Sequence, residues 1–119
     1  MMQTQNRKRY DLEERTLIFA KEVRQFVKEL PRTISNIQDI SQLVRSSGSI
    51  GANYIEANEA ISKKDFLHRI KISRKEAKES KYWLSLIDTN TKWENKRERL
   101  LQEANELMMI LSSIMRKSQ

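Results

Sequence analysis

The sequence predicts an all-α protein folded as an antiparallel up-down-up-down four-helix bundle. Three observations predict it. The 119 residues hold only two glycines and one proline, too few for the turns of an all-β chain, and show no sustained alternation of apolar and polar residues. Four stretches carry apolar residues at helical spacing instead. The breaks between them, at about residues 31–35, 58–62 and 88–92, are short enough to join antiparallel neighbours.

Each helix begins, in this reading, at a capping pair. Asp11 with Glu14, Ser35 with Gln38, Ser62 with Asp65 and Thr91 with Glu94 place a capping side chain three residues before an acid or amide. Helix one then carries Leu12, Phe19, Val23, Phe26, Val27 and Leu30 until Pro31 stops it. Helix two carries Ile40, Leu43, Val44, Ser47, Ile50 and Tyr54. Helix three carries Phe66, Ile70, Ser73, Ala77, Ser80, Leu84 and Ile87. Helix four carries Leu100, Ala104, Leu107, Leu111 and Ile114, flanked by Leu101, Met108 and Met115. The predicted organisation is a basic flexible arm over residues 1–10, with Arg7, Lys8 and Arg9, followed by one bundle domain over 11–117.

Composition narrows the function. No apolar run approaches the roughly 20 residues of a membrane span. No cysteine is present, so disulfide and thiol chemistry are excluded. With no export signal in the N-terminal segment, the expected location is the cytoplasm. One histidine, no cysteine and no glycine-rich loop remove most nucleophilic, redox and nucleotide-binding sites. The repeated carboxylates of "EANE" (Glu56–Glu59 and Glu103–Glu106) and "EAKE" (Glu76–Glu79) faintly resemble di-metal bundle sites. Those sites want Glu-x-x-His on two helices, and His68 follows Asp65 instead. No catalytic residue, metal or cofactor is expected.

Both glycines, Gly48 and Gly51, fall inside helix two, where glycine costs helix propensity. Small residues cluster with them: Ser46, Ser47 and Ala52 on helix two, Ser73, Ala77 and Ser80 on helix three. Close packing of helices two and three is the expected compensation, with a kink at Gly48 as the alternative. Arg45, Ser49, Asn53 and Glu56 share a second face of helix two. Glu76 and Glu79 share a stripe with Ile72 and Trp83 on helix three. A partly buried Arg45 paired with Glu76, Glu79 or Glu56 is the expectation, and an ordinary solvated face is the alternative.

The stretches "RSSGSIGANYIEA" and "SKKDFLHRIKISRKEAKESKYWLSLI" resemble the bacterial four helix bundle protein family, the proteins encoded in intervening sequences of large-subunit ribosomal RNA genes. The accessory variability determinant of diversity-generating retroelements is similar. The resemblance runs from Leu17 to Ile114. It is strongest at Arg45, Ser49, Ile50, Asn53 and Glu56, and at Asp65, Phe66, Glu76, Ala77, Tyr82, Trp83 and Leu84, with Leu30-Pro31 closing helix one. Many members place Gly where this chain has Ala57, so helix two is expected to run slightly further. The resemblance implies a homopentamer with a central channel and a basic surface, and no catalytic activity. For the retroelement protein it implies binding to a reverse transcriptase and to nucleic acid.

The net charge of +7 favours anionic partners. Residues 62–91 carry eight Lys or Arg against four acids. Lys64, His68, Lys71, Lys75 and Lys78 repeat at steps of four, three, four and three and end at Tyr82, with Arg69, Arg74 and Lys81 beside them. This is one positive line along a helix, suited to a phosphate backbone of RNA or DNA. The alternative is a solubilising face partly paired with Glu79 and Asp88. Aromatic residues are too few for sequence-specific stacking. Trp83 and Trp93 are expected to place at least one ring in a subunit interface. Two functions compete: an oligomeric nucleic-acid-binding accessory protein, and a scaffold whose basic surface grips an acidic protein such as a reverse transcriptase.

Overall fold

The computed structural model describes residues 2–119, with side chains from residue 12 onward. The chain forms α1 (Met2–Val27), α2 (Ile34–Asn58), α3 (Lys63–Leu86), a 3-10 turn (Thr91–Trp93) and α4 (Glu94–Ser118). No strand occurs among the described residues. Each helix packs on its neighbours in sequence and α1 returns to α4, so the helices stand in the order α1, α2, α3, α4 around a square. Paired residues run in opposite directions along every edge. Thr16 meets Gly51, while Glu13 accepts from Asn58. Arg45 reaches Glu76, while Asn53 accepts from Arg69. Arg15 reaches Glu103, while Glu22 meets Lys96. The bundle is antiparallel.

Capping explains some ends and corrects others. Ser62 accepts from the Asp65 amide at 3.0 Å and starts α3 as predicted. Thr33, not Ser35, caps α2 by accepting from the Asn36 amide at 3.2 Å. The backbone of α1 is helical from Met2, so Asp11 is not its first cap. The arm predicted over residues 1–10, with Arg7, Lys8 and Arg9, lies outside the residues whose side chains are described. Thr91 opens the 3-10 turn rather than capping α4, which has no side-chain cap. α1 ends at Val27, and a turn leads to Pro31, which has no N–H to continue a helix. α2 runs to Asn58, one residue past Ala57, as the missing glycine implied.

The predicted stripes are the core. Phe19, Val23, Phe26, Leu43, Ile50, Ile70, Leu84, Ile87, Leu100, Leu107 and Leu111 are fully buried. Val27, Ile40, Phe66, Leu101, Met108, Ile114 and Met115 pack around them, partly exposed. α2 and α3 approach closely through serines. Ser46 and Ser80 hydroxyls share a hydrogen bond of 2.9 Å, and Ser73 donates to the Ile50 carbonyl at 2.7 Å. A small hydroxyl that bonds to the facing backbone fills the narrow gap without leaving a buried polar atom unpaired.

The glycines serve a different contact from the one predicted. α2 is continuous through both, with no positive φ and no break. A Cβ on Gly51 would stand 2.7 Å from Thr16 Oγ1 and 3.0 Å from Thr16 Cβ, so Gly51 brings α2 close to α1, not to α3. A Cβ on Gly48 would meet only the Arg24 guanidinium, at 3.5 Å, an ordinary contact.

Two polar clamps hold the ends where α1 joins α2 and α3 joins α4. Asn36, 1 % exposed, donates to the carbonyls of Pro31 and Asp88 and accepts from the Asp88 amide, each at 2.9 Å. Arg97 donates to the Leu84 and Ile87 carbonyls and so covers the C-terminus of α3. Glu94 orients Arg97 and accepts a short hydrogen bond from Thr89.

Candidate nucleic-acid interface

The helical repeat puts Lys64, His68, Lys71, Lys75 and Lys78 in one exposed row on α3. Arg74 lies half-buried beside it. Lys71, Arg74, Lys75 and Lys78, with Met108 and Ser112 of α4, line a groove of about 520 Å³ between the two helices. Lys63, Lys64, Leu67, His68 and Lys71 line a second hollow, of about 540 Å³, toward the start of α3. The α4 wall supplies a thioether and a hydroxyl, so nothing in the groove neutralises the cations.

Charge pairing elsewhere sharpens the contrast. Arg15 pairs with Glu103 at 2.7 Å and Glu106 at 3.2 Å, Lys96 with Glu22 at 3.5 Å, and Arg97 with Glu94 at 2.8 Å. Arg45 pairs with Glu76 at 3.2 Å and Glu79 at 3.1 Å. Among the described residues, Lys64, Lys71, Arg74, Lys75 and Lys78 join no ion pair. Glu79, weighed from sequence as a partner for the row, faces α2 and is taken by Arg45. Two of the three flanking cations are engaged: Arg69 donates to Asn53 at 3.3 Å and Lys81 to Asn105 at 2.8 Å.

Of the residues expected in a polar network, Arg45, Glu76 and Glu79 meet at the surface. Arg45 donates to both carboxylates, Ser49 donates to the Arg45 carbonyl at 2.9 Å, and Asn53 donates to the Ser49 carbonyl at 2.9 Å. Glu56 is exposed and takes part in none of these bonds. The Arg45 side chain is 50 % exposed while Glu76 is 12 % exposed, so the expected burial of the arginine is corrected. The hydrogen bond to Glu76 raises the Arg45 pKa above its ordinary value. The network is a strut between α2 and α3.

Trp83 and Trp93 both pack against the protein's own core, partly buried. The Trp83 indole N–H is buried without an acceptor, and Tyr82 meets its ring edge-on at 5.1 Å between centroids. Lys92 lies 5.5 Å over the Trp93 ring. Among the described residues, no cluster of three or more His, Asp or Glu could hold a metal, and no helix is long and apolar enough to cross a membrane. Met108 and Ser112 of the groove were not read from sequence as site residues. Their signal is weak, because nothing local says which α4 residues face α3.

The model of the 23S rRNA-intervening sequence protein family matches residues 8–113. The chain belongs to that family. Among solved structures it is similar to a protein of unknown function from the S23 ribosomal protein family of Bacteroides thetaiotaomicron, with 30 % identity and a TM-score of 0.74, over 92 % of this chain and 98 % of that one. No curated protein matches. Membership and structural likeness agree with the bundle built above from its stripes.

Proposed function

We propose that the protein is a non-catalytic, oligomeric accessory protein that grips the backbone of nucleic acid, RNA or DNA, with weak sequence preference. The observation that carries the reading is the clustering of four cations in one groove without an acid. Acids meet cations on the α1/α4 and α2/α3 edges, while the α3/α4 groove collects Lys71, Arg74, Lys75 and Lys78 with no acid among its lining residues. Unpaired like charges repel one another, and a phosphate backbone relieves that repulsion while releasing its own counterions.

Assembly is part of the proposal. An apolar groove of about 500 Å³ lies between α1 and α2, on the side of the square opposite the basic row. Its lining includes Thr16, Leu17, Ala20, Gly51, Ala52 and Ile55, and Leu17 and Ile55 are exposed. A second copy seated there would cover apolar surface while keeping the two basic rows apart. The resemblance implies five copies, and light scattering should report several times the 14.2 kDa chain mass.

The test is charge reversal. Lys71→Glu, Lys75→Glu and Lys78→Glu together should abolish gel-shift binding of labelled random RNA and duplex DNA at low salt, with the oligomer intact. Binding that survives reversal would overturn the reading. Loss of a co-purifying acidic protein, such as a reverse transcriptase, with no nucleic acid bound by the parent, would put the scaffold function in its place.

A further inference from the structure

We infer that the α3 row prefers a single strand to a duplex, and that Tyr82 is a stacking platform for one unpaired base at the end of the row. The inference rests on the nucleic-acid reading above. Its first ground is shape. The row from Lys64 to Lys78 spans about 21 Å at the helical rise. Its steps average three and a half residues, so the row drifts by only about 40° around α3 over that length. It is a nearly straight line. A duplex strand completes a turn in roughly 34 Å, so it crosses such a line and leaves it. An unpaired strand can follow the line, presenting about six phosphates if stacked at 3.4 Å per nucleotide and fewer if extended.

The second ground is independent of charge. Tyr82 continues the row one turn beyond Lys78 and is 59 % exposed, and its ring stands T-shaped to that of Trp83. A base inside a duplex has both faces covered by its neighbours. Away from the ends of a duplex, only an unpaired base has a free face for a tyrosine ring, and such stacking is tolerant of sequence. That agrees with a chain poor in aromatics and with a groove floored by Met108 and Ser112, which offer a sugar or base edge no charge. The structure thus supplies a line of cations, a neutral floor and one open ring at the end of the line.

Fluorescence anisotropy with fluorescein-labelled oligo(dT), oligo(U) and a mixed-sequence duplex, each about 20 nucleotides long, tests this on the full chain at low salt. The single strands should bind about tenfold more tightly than the duplex. Tyr82→Ala should lose about tenfold toward the single strands, at the low end of measured stacking contributions, and leave duplex binding unchanged. Tyr82→Phe should keep the parent affinity. Equal or tighter duplex binding overturns the strand preference, and full affinity in Tyr82→Ala overturns the stacking role. Duplex binding as tight as single-strand binding, and lost on charge reversal, would sink this inference and leave the nucleic-acid reading standing. Binding to neither probe would sink the nucleic-acid reading and this inference with it. The strand-to-duplex ratio of the parent protein decides the preference even if a Tyr82 variant folds poorly.

Discussion

Replacing each glycine of α2 by alanine should shift stability in opposite directions. Alanine is better than glycine in a helix interior by about 0.8–1.0 kcal/mol. At Gly48 the new methyl meets only the mobile end of Arg24 at 3.5 Å, so Gly48→Ala keeps that gain. At Gly51 the methyl would stand 2.7 Å from Thr16 Oγ1 and 3.0 Å from Thr16 Cβ. Thr16 cannot swing away freely: it is 1 % exposed, and its hydroxyl is tied to the Glu13 carbonyl at 2.9 Å. Overpacking of this kind costs about 1–3 kcal/mol, which matches or exceeds the propensity gain. The two variants should therefore differ by about 1–3 kcal/mol, or roughly 3–15 °C in melting temperature for a chain of this size. Thermal melts followed by circular dichroism measure the difference. Thr16→Ala in the Gly51→Ala background should recover part of the loss, because it removes the nearer of the two atoms. If Gly51→Ala stabilises as much as Gly48→Ala, α1 and α2 do not approach as described.

Three further outcomes follow from the clamps and pairs. Asn36→Ala removes three hydrogen bonds that tie two loops together, so it should cost about 2–4 kcal/mol and lower the melting temperature by roughly 10 °C, and a change under about 2 °C would refute the clamp. Arg45→Ala breaks a pair whose arginine is half exposed but whose Glu76 is only 12 % exposed, so it should cost about 1–2 kcal/mol, and a loss of about 3 kcal/mol or more would mean the pair is buried in solution. Thr89, and after it Arg97, hold the Glu94 carboxyl below its ordinary pKa, so Glu94 binds its proton more weakly folded than unfolded. Its contribution is full above the ordinary carboxylate range and is lost as pH falls through the depressed value. The stability gap between the parent and Glu94→Gln should therefore shrink between about pH 6 and pH 3, and a gap independent of pH would contradict the assignment.

The apolar period exposed the fold because burial selects it directly: Leu43 and Ile50, or Leu100 and Leu107, can be placed in the core from spacing alone. Serines at core positions were legible too, since Ser73 and Ser80 fall on the stripe of α3. What spacing leaves open is which neighbour a face meets. Gly51 was read as facing α3 because small residues gather on both helices, whereas its close contact is Thr16 of α1. Spacing offers Arg45 three carboxylates, of which Glu76 and Glu79 pair and Glu56 does not, and the depth of an ion pair depends on the lateral position of two helices. Asn36 gave no signal at all, because its partner Asp88 lies 52 residues away and contributes only backbone atoms. The basic row was legible residue by residue. Its freedom from acids was not, since that required knowing that Glu79 turns to Arg45 and that α4 offers Met108 and Ser112.

The salt dependence of binding counts the phosphates that the basic row neutralises. Each cation that neutralises a phosphate of a single strand contributes about −0.7 to the slope of log affinity against log salt. Lys64, Lys71, Lys75 and Lys78 stand exposed in one row, so oligo(U) should give a slope near −3 per subunit engaged, steeper where one strand spans several subunits. Reversing Lys71, Lys75 and Lys78 to Glu should bring the slope toward zero and remove binding at moderate salt. A slope near zero for the parent protein, or a slope unchanged by the reversal, would mean that the row neutralises no phosphates.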